Sequence, residues 1–547
     1  MTVNSKLPET QHAVQLVGPG ALKLDPLKPV PTPGPHEVLV KVEAVGLCFS
    51  DLKLLKQFDK HARKTEIVGG IEPDVLKGIQ SYVPGSLPTV PGHEVVCRVV
   101  AVGDQVKHHK VGERYLVQAD YRQLPTAGGS NAAFGYNFEG GLQEYTLLDE
   151  RVVIAPDGDR FLIPTGEDKS ASAVALVEPW ACVEGAYATR ERNTIKAGGR
   201  LLVVVADGRE AKGVTDCFSP DGEPAEVRTV SPSEVADLPQ ESFDDIVYFG
   251  SDKATIDVLN DRLAASGIIN IVLGGRRIGR LVSVGVGRLH YAMTRWVGTT
   301  GDHAAESYKH IPANGEIREN DQILVVGAAG PMGQMHVIRN ICRGVRGVSV
   351  VGTDLDDRRI EALRRKAEPM AKANGVALRL ANPQNEQLKE RFTYFVLMTP
   401  LGALLADAIE KAADGAIINV FAGIPAQTKH DLDLDAYVAK RCFMFGTSGS
   451  TIEDMRIVLR KVERDQLDTN ASVDAISGMS GATDGIAAVE SRALAGKIIV
   501  YPMLHDVGLI PLAELEKHFP TVAEKLDNGR WTREAERELL RVAGGSG

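Results

Sequence analysis

The segment ILVVGAAGPMGQ, residues 323–334, decides the fold of the region around it. Its four apolar residues have the pattern of a buried strand and lead directly into three glycines, Gly327, Gly330 and Gly333. The next segment, MHVIRNICRG, has helical spacing. Glycines at such a turn let a phosphate group approach the backbone amides at the N-terminus of the following helix. The segment therefore predicts a strand–turn–helix unit that binds a phosphate-bearing ligand.

The next predicted strand, VSVVGTD, ends at Asp354, about 20 residues beyond the last glycine. A carboxylate at this position accepts hydrogen bonds from the ribose hydroxyls of an adenine dinucleotide and repels a 2′-phosphate. The order strand, glycine turn, helix, strand and acid predicts a Rossmann-type site and favours NAD over NADP. The predicted cofactor-binding residues are Gly327, Gly330, Pro331, Met332, Gly333 and Asp354.

An internal repeat indicates a second unit of the same kind. AASGIINIVLGG (264–275) is a near copy of AADGAIINVFAG (412–423), and each copy follows a similar apolar strand. Repeats of this size indicate a duplicated supersecondary unit. The first copy begins with the strand GRLLVVVADG but continues as REAKG, without the three glycines. We therefore predict two tandem Rossmann-like, doubly wound units, a degenerate one at 196–315 and an NAD-binding one at 316–450.

The flanking regions have a different pattern. Short alternating runs such as HEVLVKVEAVG (36–46) and VVCRVVAVG (95–103) are separated by Pro/Gly turns, which predicts a β-barrel. The segment SASAVALVEPWACVEGAYATRE has helical spacing, and GKIIVYP (496–502) predicts a strand that returns to the barrel. The chain is thus predicted as an α/β protein with a catalytic barrel domain in 1–195, completed by 451–547.

Two loops of the predicted barrel carry metal-binding residue types, GLCFSDLK (46–53) and PGHE (91–94). A thiolate, an imidazole and a carboxylate from separate loops are the ligands of a catalytic zinc that keeps one position open. Taken singly, Cys48 and His93 would each be ordinary buried residues. Their joint occurrence indicates a metal site.

These motifs resemble the zinc-containing medium-chain dehydrogenases, especially the sorbitol and sugar dehydrogenase branch, over almost the whole chain. The resemblance implies a GroES-like β-barrel with one catalytic zinc, bound by Cys48, His93, Glu94 and Glu178. It also implies three residues that act around the metal, with Ser50 relaying the alcohol proton, Asp51 orienting His93 and Lys53 ending the relay.

Four departures from the family pattern affect these expectations. Cys97 stands where the family usually has glycine, and Lys53 stands where many members have histidine. Residues 118–140 contain no cysteine, whereas members with a structural zinc carry four there, so no structural zinc is expected. The family also has one Rossmann unit where this chain has two predicted ones.

The bulk composition excludes several classes of function. A formal net charge of −10 without basic blocks argues against nucleic acid as a partner. No segment resembles a signal peptide or a membrane span, so a cytoplasmic protein without a membrane partner is expected. The six scattered cysteines are predicted to be reduced thiols, and the Lys-flanked pair His108 and His109 to be solvated. The resemblance implies a homo-oligomer, either dimer or tetramer.

The predicted function is a zinc-dependent oxidoreductase that transfers hydride between NAD and a secondary alcohol of a small-molecule sugar or polyol. One alternative is a redox-neutral lyase or epimerase that uses bound NAD catalytically on a sugar. Another is a zinc-free, non-catalytic binding protein. The sequence leaves the identity of the sugar, recognition of a phosphate and the role of the degenerate unit open.

Overall fold

A computed structural model describes residues 7–544, which form two compact units. Of the described residues, the first unit combines 7–181 and 450–544, and the second comprises 182–449. The two predicted Rossmann-like units, 196–315 and 316–450, therefore lie almost wholly within the second unit.

The N-terminal part of the first unit is mostly β-structure with short helices. Its strands are β1 Thr10–Gly18, β2 Ala21–Pro29, β3 Glu37–Gly46, β4 Glu94–Val102, β5 Arg114–Val117, β6 Asp120–Pro125, β7 Asn131–Ala133, β8 Tyr145–Asp149 and β9 Leu162–Pro164. Its helices are α1 Phe49–Gln57, α2 Pro73–Lys77, α3 Glu150–Val153 and α4 Ala171–Ala175, with α5 Val177–Ala188 leading into the second unit. Short 3₁₀ turns follow α1 at Phe58–Lys60 and Ala62–Lys64.

The second unit alternates strands and helices. Its strands are β10 Arg200–Val205, β11 Glu226–Val230, β12 Phe243–Phe249, β13 Leu263–Val272, β14 Val282–Val284, β15 Arg295–Thr299, β16 Gln322–Val326, β17 Ser349–Thr353, β18 Ala377–Ala381, β19 Phe392–Leu397, β20 Ala412–Asn419, β21 His430–Leu432 and β22 Phe443–Phe445. Its helices are α6 Lys253–Leu259, α7 Val286–Tyr291, α8 Ala305–Tyr308, α9 Pro331–Cys342, α10 Asp357–Asn374, α11 Gly402–Lys411 and α12 Leu434–Ala439, with 3₁₀ turns at Thr215–Cys217 and Pro232–Asp237.

The C-terminal segment completes the first unit. Its elements are β23 Val473–Ser477, β24 Lys497–Val500 and β25 Ile510–Pro511, the helices α13 Ile452–Glu463, α14 Ala482–Ser491, α15 Leu515–His518, α16 Pro520–Ala523 and α17 Arg533–Ala543, and 3₁₀ turns at Thr469–Ser472 and Leu512–Glu514. None of the helices between residues 7 and 544 combines the length and hydrophobicity needed to cross a membrane.

An eight-stranded, mainly antiparallel sheet forms the centre of the first unit. Its strand order is β25-β23-β24-β3-β4-β5-β9, and β8 also pairs with β3. Strand β24 pairs antiparallel with β3 through Ile499↔Gly46 and Val500↔Val45. The C-terminal strand β24 thus joins the sheet formed by the N-terminal segment.

An eleven-stranded sheet runs through the second unit in the order β11-β10-β12-β13-β15-β22-β20-β19-β16-β17-β18. Strand pairs are parallel on either side of its centre, where β15 and β22 are antiparallel through Trp296↔Met444. The hydroxyl of Tyr437 lies at this joint, donating to the Trp296 carbonyl at 2.7 Å and accepting from the Met444 amide at 3.0 Å. Because β15 and β22 are antiparallel, the sheet has two halves. The strands within each half are parallel, and those of one half run opposite to those of the other.

Counted outwards from the joint, the five strands of the first half correspond to the first five of the six strands in the second half, and β18 has no counterpart. In the first half, the pairing of β12 with β13 shifts register between Phe243↔Leu263 and Asp245↔Ile268. In the second half, the pairing of β19 with β20 shifts in the same way, between Phe392↔Ala412 and Tyr394↔Ile417. The short strands β14 and β21 pair with each other, antiparallel. The repeated sequences thus occupy equivalent positions in the two halves.

Candidate zinc and nucleotide sites

The start of helix α1 positions two residues of the predicted metal site, Cys48 and His93. Cys48 is the N-cap of the helix, and its backbone amide donates to Asp51 Oδ2 at 3.0 Å. The other oxygen of Asp51 lies 3.1 Å from His93 Nδ1. A carboxylate can only accept in this contact, so Nδ1 carries a proton, and Nε2 is the ring nitrogen that could bind a metal ion.

Three of the predicted metal-binding residues lie together. One ligand atom each of Cys48, His93 and Glu94 falls within 4.8 Å of the others, and both His93 and Glu94 are buried. The hydroxyl of Ser50 lies 3.1 Å from the Cys48 sulfur and 3.2 Å from His93 Nε2. The predicted relay residue therefore lies beside two of the predicted ligands.

Glu94 has one paired and one unpaired oxygen. Lys497 Nζ donates to Oε1 at 2.5 Å, and both side chains are almost completely buried. Within the described residues, Oε2 has no hydrogen-bond partner. A Cβ added at Gly46 would lie only 2.1 Å from this oxygen, so the glycine is needed for the carboxylate to occupy its position. An unpaired buried carboxylate oxygen beside a thiol and an imidazole fits a bound cation.

The remaining predicted ligand, Glu178, lies in the first turn of α5 and is partly buried. Burial raises the pKa of its carboxyl to about 7, and the negative charge of Glu94 acts in the same direction, against the attraction of His93. Burial lowers the pKa of His93, but the Asp51 carboxylate outweighs it and holds that pKa well above its ordinary value. Glu178 is therefore close enough to His93 and Glu94 to be influenced by both charges.

Several residues around this cluster were not predicted. The ring of Tyr136 lies 5.8 Å from that of His93, its hydroxyl bonds to Ser50, and burial raises its pKa. The ring of His61 lies 5.1 Å from Tyr136, and Arg63 lies 5.8 Å from the same ring. Burial, then the charges of Arg63 and Lys53, lower the pKa of His61 to about 4. No motif spacing in the sequence signals Tyr136 or Lys497, because each reaches the cluster only through the fold.

Lys53 and Cys97, two of the departures from the family pattern, lie in different surroundings. Lys53 is exposed on α1, one turn beyond Ser50. Cys97 is fully buried in β4, opposite Val42 of β3, and burial raises the pKa of its thiol. Cys97 therefore serves as a core residue of the sheet. None of the six cysteines, which all lie between residues 7 and 544, forms a disulfide.

The predicted solvation of His108 and His109 is wrong for one member of the pair. His109 is buried, and its Nδ1 lies 2.9 Å from Glu150 Oε1. The same carboxylate accepts from the backbone amides of Lys107 and His108. The hydrogen bonds of Glu150 therefore hold this turn against the rest of the unit, and His109 is buried there.

The glycine-rich segment forms the predicted turn between β16 and α9. Gly327 has φ +81°, and a Cβ there would lie 3.1 Å from Met398 and Thr399 atoms. A Cβ at Gly333 would lie 2.2 Å from the Gly327 carbonyl. Gly330 is the N-cap of α9, and Pro331 and Met332 are its first two residues. The three glycines thus keep backbone and helix in close contact, which leaves room for a pyrophosphate at the helix N-terminus.

Asp354 lies just beyond the end of β17, next to this turn. Its Oδ2 accepts from the Ala329 amide at 3.2 Å, and its Oδ1 accepts from the amides of Leu355 and Asp356. Arg359 of α10, which was not predicted, reaches the same turn, because its Nη2 would lie 3.3 Å from a Cβ at Gly330. In the described part of the chain its Nε is buried without a hydrogen-bond partner. An acid and a base therefore flank the glycine turn.

The equivalent turn in the first half of the sheet is filled by a side chain. Arg209 follows β10 and donates to the carbonyls of Leu273 and Val272 at 2.8 and 3.2 Å. A Cβ at Gly274 would lie 2.2 Å from its guanidinium. The chain between β10 and β11 forms only a 3₁₀ turn, Thr215–Cys217, rather than an α-helix. This end of the first half therefore lacks a helix N-terminus like that of α9, where the cofactor phosphates are predicted to bind in the other half.

Comparison with known proteins agrees with this architecture. Residues 34–157 match the alcohol dehydrogenase GroES-like domain. The L-galactonate-5-dehydrogenase of Escherichia coli K12 is 27% identical over 281 residues, which are 47% of this chain and 71% of that protein. The sorbitol dehydrogenase of Halalkalibacterium halodurans is 28% identical over 187 residues, 33% of this chain and 45% of that protein. This chain thus spans less than half of the second relative.

A solved structure of a candidate alcohol dehydrogenase from Sinorhizobium meliloti 1021 has a TM-score of 0.51 at 13% identity, over 91% of this chain and 100% of that one. At this identity the likeness shows the fold alone. Residues 34–157 are thus similar to the alcohol dehydrogenase GroES-like domain, and parts of the chain are similar to L-galactonate-5-dehydrogenase and sorbitol dehydrogenase.

Proposed function

We propose that the protein is a zinc-dependent dehydrogenase that transfers hydride between NAD and a secondary alcohol of a sugar, sugar acid or polyol. The observation that carries the proposal is the buried cluster of Cys48, His93 and Glu94, with a carboxylate oxygen that has no partner among the described residues. The related L-galactonate and sorbitol dehydrogenases support the substrate class.

The side chains of the cluster suit the binding of one zinc ion. Cys48, His93, Glu94 and Glu178 would hold it, and Asp51 keeps the His93 lone pair directed towards it. Zinc supplies Lewis acidity, which lowers the pKa of a substrate hydroxyl and so assists hydride loss to the nicotinamide. The hydroxyl of Ser50, hydrogen-bonded to Tyr136, can take up the hydroxyl proton and pass it outwards.

The glycine turn and α9 would hold the cofactor. The N-terminus of α9 stabilises the pyrophosphate charge, and Asp354 accepts hydrogen bonds from ribose hydroxyls. The carboxylate of Asp354 repels a 2′-phosphate, whereas Arg359 attracts negative charge. We favour NAD because the Asp354 carboxylate already lies against the turn, within 3.2 Å of the Ala329 amide.

Positive charge near the cluster favours an acidic substrate over a neutral polyol. Lys53 and Arg63 act together on His61, and Arg63 also lies within electrostatic range of Glu178. Part of the Arg63 charge is neutralised by Asp120 at 3.0 Å. A sugar acid or sugar phosphate would find a counter-charge here that a neutral polyol cannot use.

A substrate screen tests the proposal. Sugars, polyols, sugar acids and sugar phosphates are incubated with NAD or NADP while NADH or NADPH absorbance is followed, and products are analysed. We expect NAD-dependent oxidation of at least one substrate, and its loss in Cys48→Ser. Turnover without accumulated NADH would instead indicate the redox-neutral reaction, and full activity of Cys48→Ser protein would contradict the role of zinc.

We further propose that the two halves of the eleven-stranded sheet arose by duplication and that only the second binds a nucleotide. The Arg209 side chain, bonded to two strand carbonyls, supports this assignment. Equilibrium titration with NAD should therefore give one site per chain. Two sites, or one site that survives Gly333→Ala, would contradict it.

A further inference from the structure

Two histidines share one buried carboxylate at a place where three distant segments meet. His12 lies in β1, Glu144 directly precedes β8, and His505 follows β24. Glu144 is separated from His12 by 132 residues and from His505 by 361. One ligand atom from each of the three residues lies within 4.8 Å of the others. This cluster shares no residue with the Cys48 cluster.

The spacing of the donor atoms matches a tetrahedral metal site. His505 Nε2 lies 3.0 Å from Glu144 Oε1, and His12 Nδ1 lies 3.5 Å from Glu144 Oε2. The two imidazole rings stack face to face, with centroids 3.8 Å apart and an interplanar angle of 26°. Ligands around zinc, with bonds of about 2.0–2.2 Å, are separated by roughly 3.3–3.6 Å. Binding of both nitrogens to one tetrahedral ion would require the two rings to turn out of this stack.

The charge and burial of the three side chains also favour a cation. The side chain of Glu144 is 6% exposed, while those of His12 and His505 are 25% and 41% exposed. In the range 7–544, the ion-pair partners of Glu144 are these two histidines, and neither lysine nor arginine is among them. A buried carboxylate requires compensation. Glu144 Oε2 also accepts from the His12 backbone amide at 2.6 Å, but that neutral donor does not cancel the charge. A divalent cation would cancel it and would be reached from solvent past the partly exposed imidazoles.

We propose that His12, Glu144 and His505 form a second zinc site with an open position for water. Two imidazoles and one glutamate are a known ligand set for zinc with a fourth, exchangeable position. The site would tie the N-terminal strand to the segment that follows the returning strand β24. Because such a link closes a loop of several hundred residues, metal binding stabilises the folded first unit. The expectation of a single zinc per chain is thereby revised to two.

Metal analysis tests the proposal independently of the catalytic assignment. The full chain is loaded with excess zinc, desalted and analysed for zinc per chain. We expect two equivalents in the wild type, one in Cys48→Ser, one in His505→Gln and none in the double variant. His518→Ala, which replaces an exposed histidine of the same unit, should keep two.

The outcomes separate the two sites. If His505→Gln keeps the zinc content of the wild type, the second site is ruled out, whatever Cys48→Ser does. If His505→Gln loses an equivalent while Cys48→Ser loses none, the second site stands and the proposed catalytic zinc fails. His12→Gln must repeat the result of His505→Gln, because both imidazoles are required.

Two further readouts do not depend on activity. In Cys48→Ser protein, added zinc should raise the Tm, and His12→Gln should abolish that rise. Cobalt bound to the Cys48→Ser protein should show ligand-field bands without thiolate charge-transfer absorption, since this ligand set contains no sulfur. An unchanged Tm on zinc addition would overturn the stabilising role.

Discussion

Lys497 donates to Glu94 at 2.5 Å in a place where neither side chain is accessible to solvent by more than 4%. The lysine also donates to the Leu47 carbonyl at 2.7 Å, next to Cys48. It comes from the returning strand β24, whereas Glu94 and Leu47 belong to the N-terminal segment. One buried ion pair therefore connects the two ends of the chain at the metal cluster.

Removal of one partner should be strongly destabilising. Lys497→Met leaves the Glu94 carboxylate buried without its counter-charge, and we expect a loss of about 3–5 kcal/mol in the free energy of unfolding. Urea denaturation of metal-free protein at pH 7 measures it. The double variant Lys497→Met with Glu94→Gln should recover part of this loss. A double variant less stable than Lys497→Met would show that the lysine does not act through Glu94.

Gly46→Ala should weaken the metal cluster. The new methyl group would lie 2.1 Å from Glu94 Oε2 and 3.2 Å from Glu94 Cβ, so the carboxylate must move. We expect a lower zinc affinity and reduced activity. Gly166→Ala, where an added Cβ meets nothing within 4 Å, is the matched control in the same unit. Equal zinc affinities of the two variants would mean that the position of Glu94 is irrelevant to metal binding.

Asp354→Asn should shift cofactor preference towards NADP. The substitution removes the charge that repels a 2′-phosphate, while Arg359 remains nearby. We expect the ratio of kcat/KM for NAD to that for NADP to fall at least tenfold, mainly through KM for NADP. Glu361→Gln removes an exposed charge from the same region and should leave the ratio unchanged. Wild-type activity that is already equal with both cofactors would remove the role of Asp354.

Acid should destabilise the second unit through His336 of α9. Burial, assisted by the charge of Arg339, lowers the pKa of this histidine to about 3. Its Nδ1 lies 2.8 Å from the Tyr187 hydroxyl, and its ring meets Phe421 edge-on, with ring centroids 4.5 Å apart. The folded state therefore keeps His336 neutral, while the unfolded chain binds a proton below pH 6.5.

Stability should consequently fall by up to about 1.4 kcal/mol for each pH unit between 6.5 and 3 because of this residue alone. In His336→Phe, the slope of unfolding free energy against pH should be shallower by one proton over that range, whatever its absolute stability. His518→Asn, an exposed histidine, should retain the wild-type slope. An unchanged slope in His336→Phe would show that His336 protonates in the folded protein.

Local patterns in the sequence predicted most elements near the sites. The strand of ILVVGAAGPMGQ is β16, the helix after it is α9, and VSVVGTD contains β17. These predictions work because strand alternation, helical spacing and glycine turns depend on neighbouring residues. Cys48 and His93 were predicted from their residue types to bind one metal ion, and their side chains lie close together in the structure.

Contacts made by distant segments could not be predicted in this way. Lys497 lies 403 residues from Glu94, and no local pattern indicates that a returning strand brings a lysine there. Tyr136 comes from a loop whose sequence gives no signal, and His505 faces Glu144 only after folding. His109 was misjudged because Glu150, 41 residues further on, covers it. Such contacts depend on chain topology, which residue spacing does not encode.

The antiparallel joint between β15 and β22 limits how copies of this protein can assemble. Each half of the sheet has its inner edge strand already paired within the chain, with the Tyr437 hydroxyl bonded to both strands. A second copy cannot extend the sheet there. The edge strands of this sheet are β11, whose residues are mostly exposed, and β18. The backbone of each can still pair with another strand. A dimer or tetramer that extends this sheet must therefore pair at β11 or at β18.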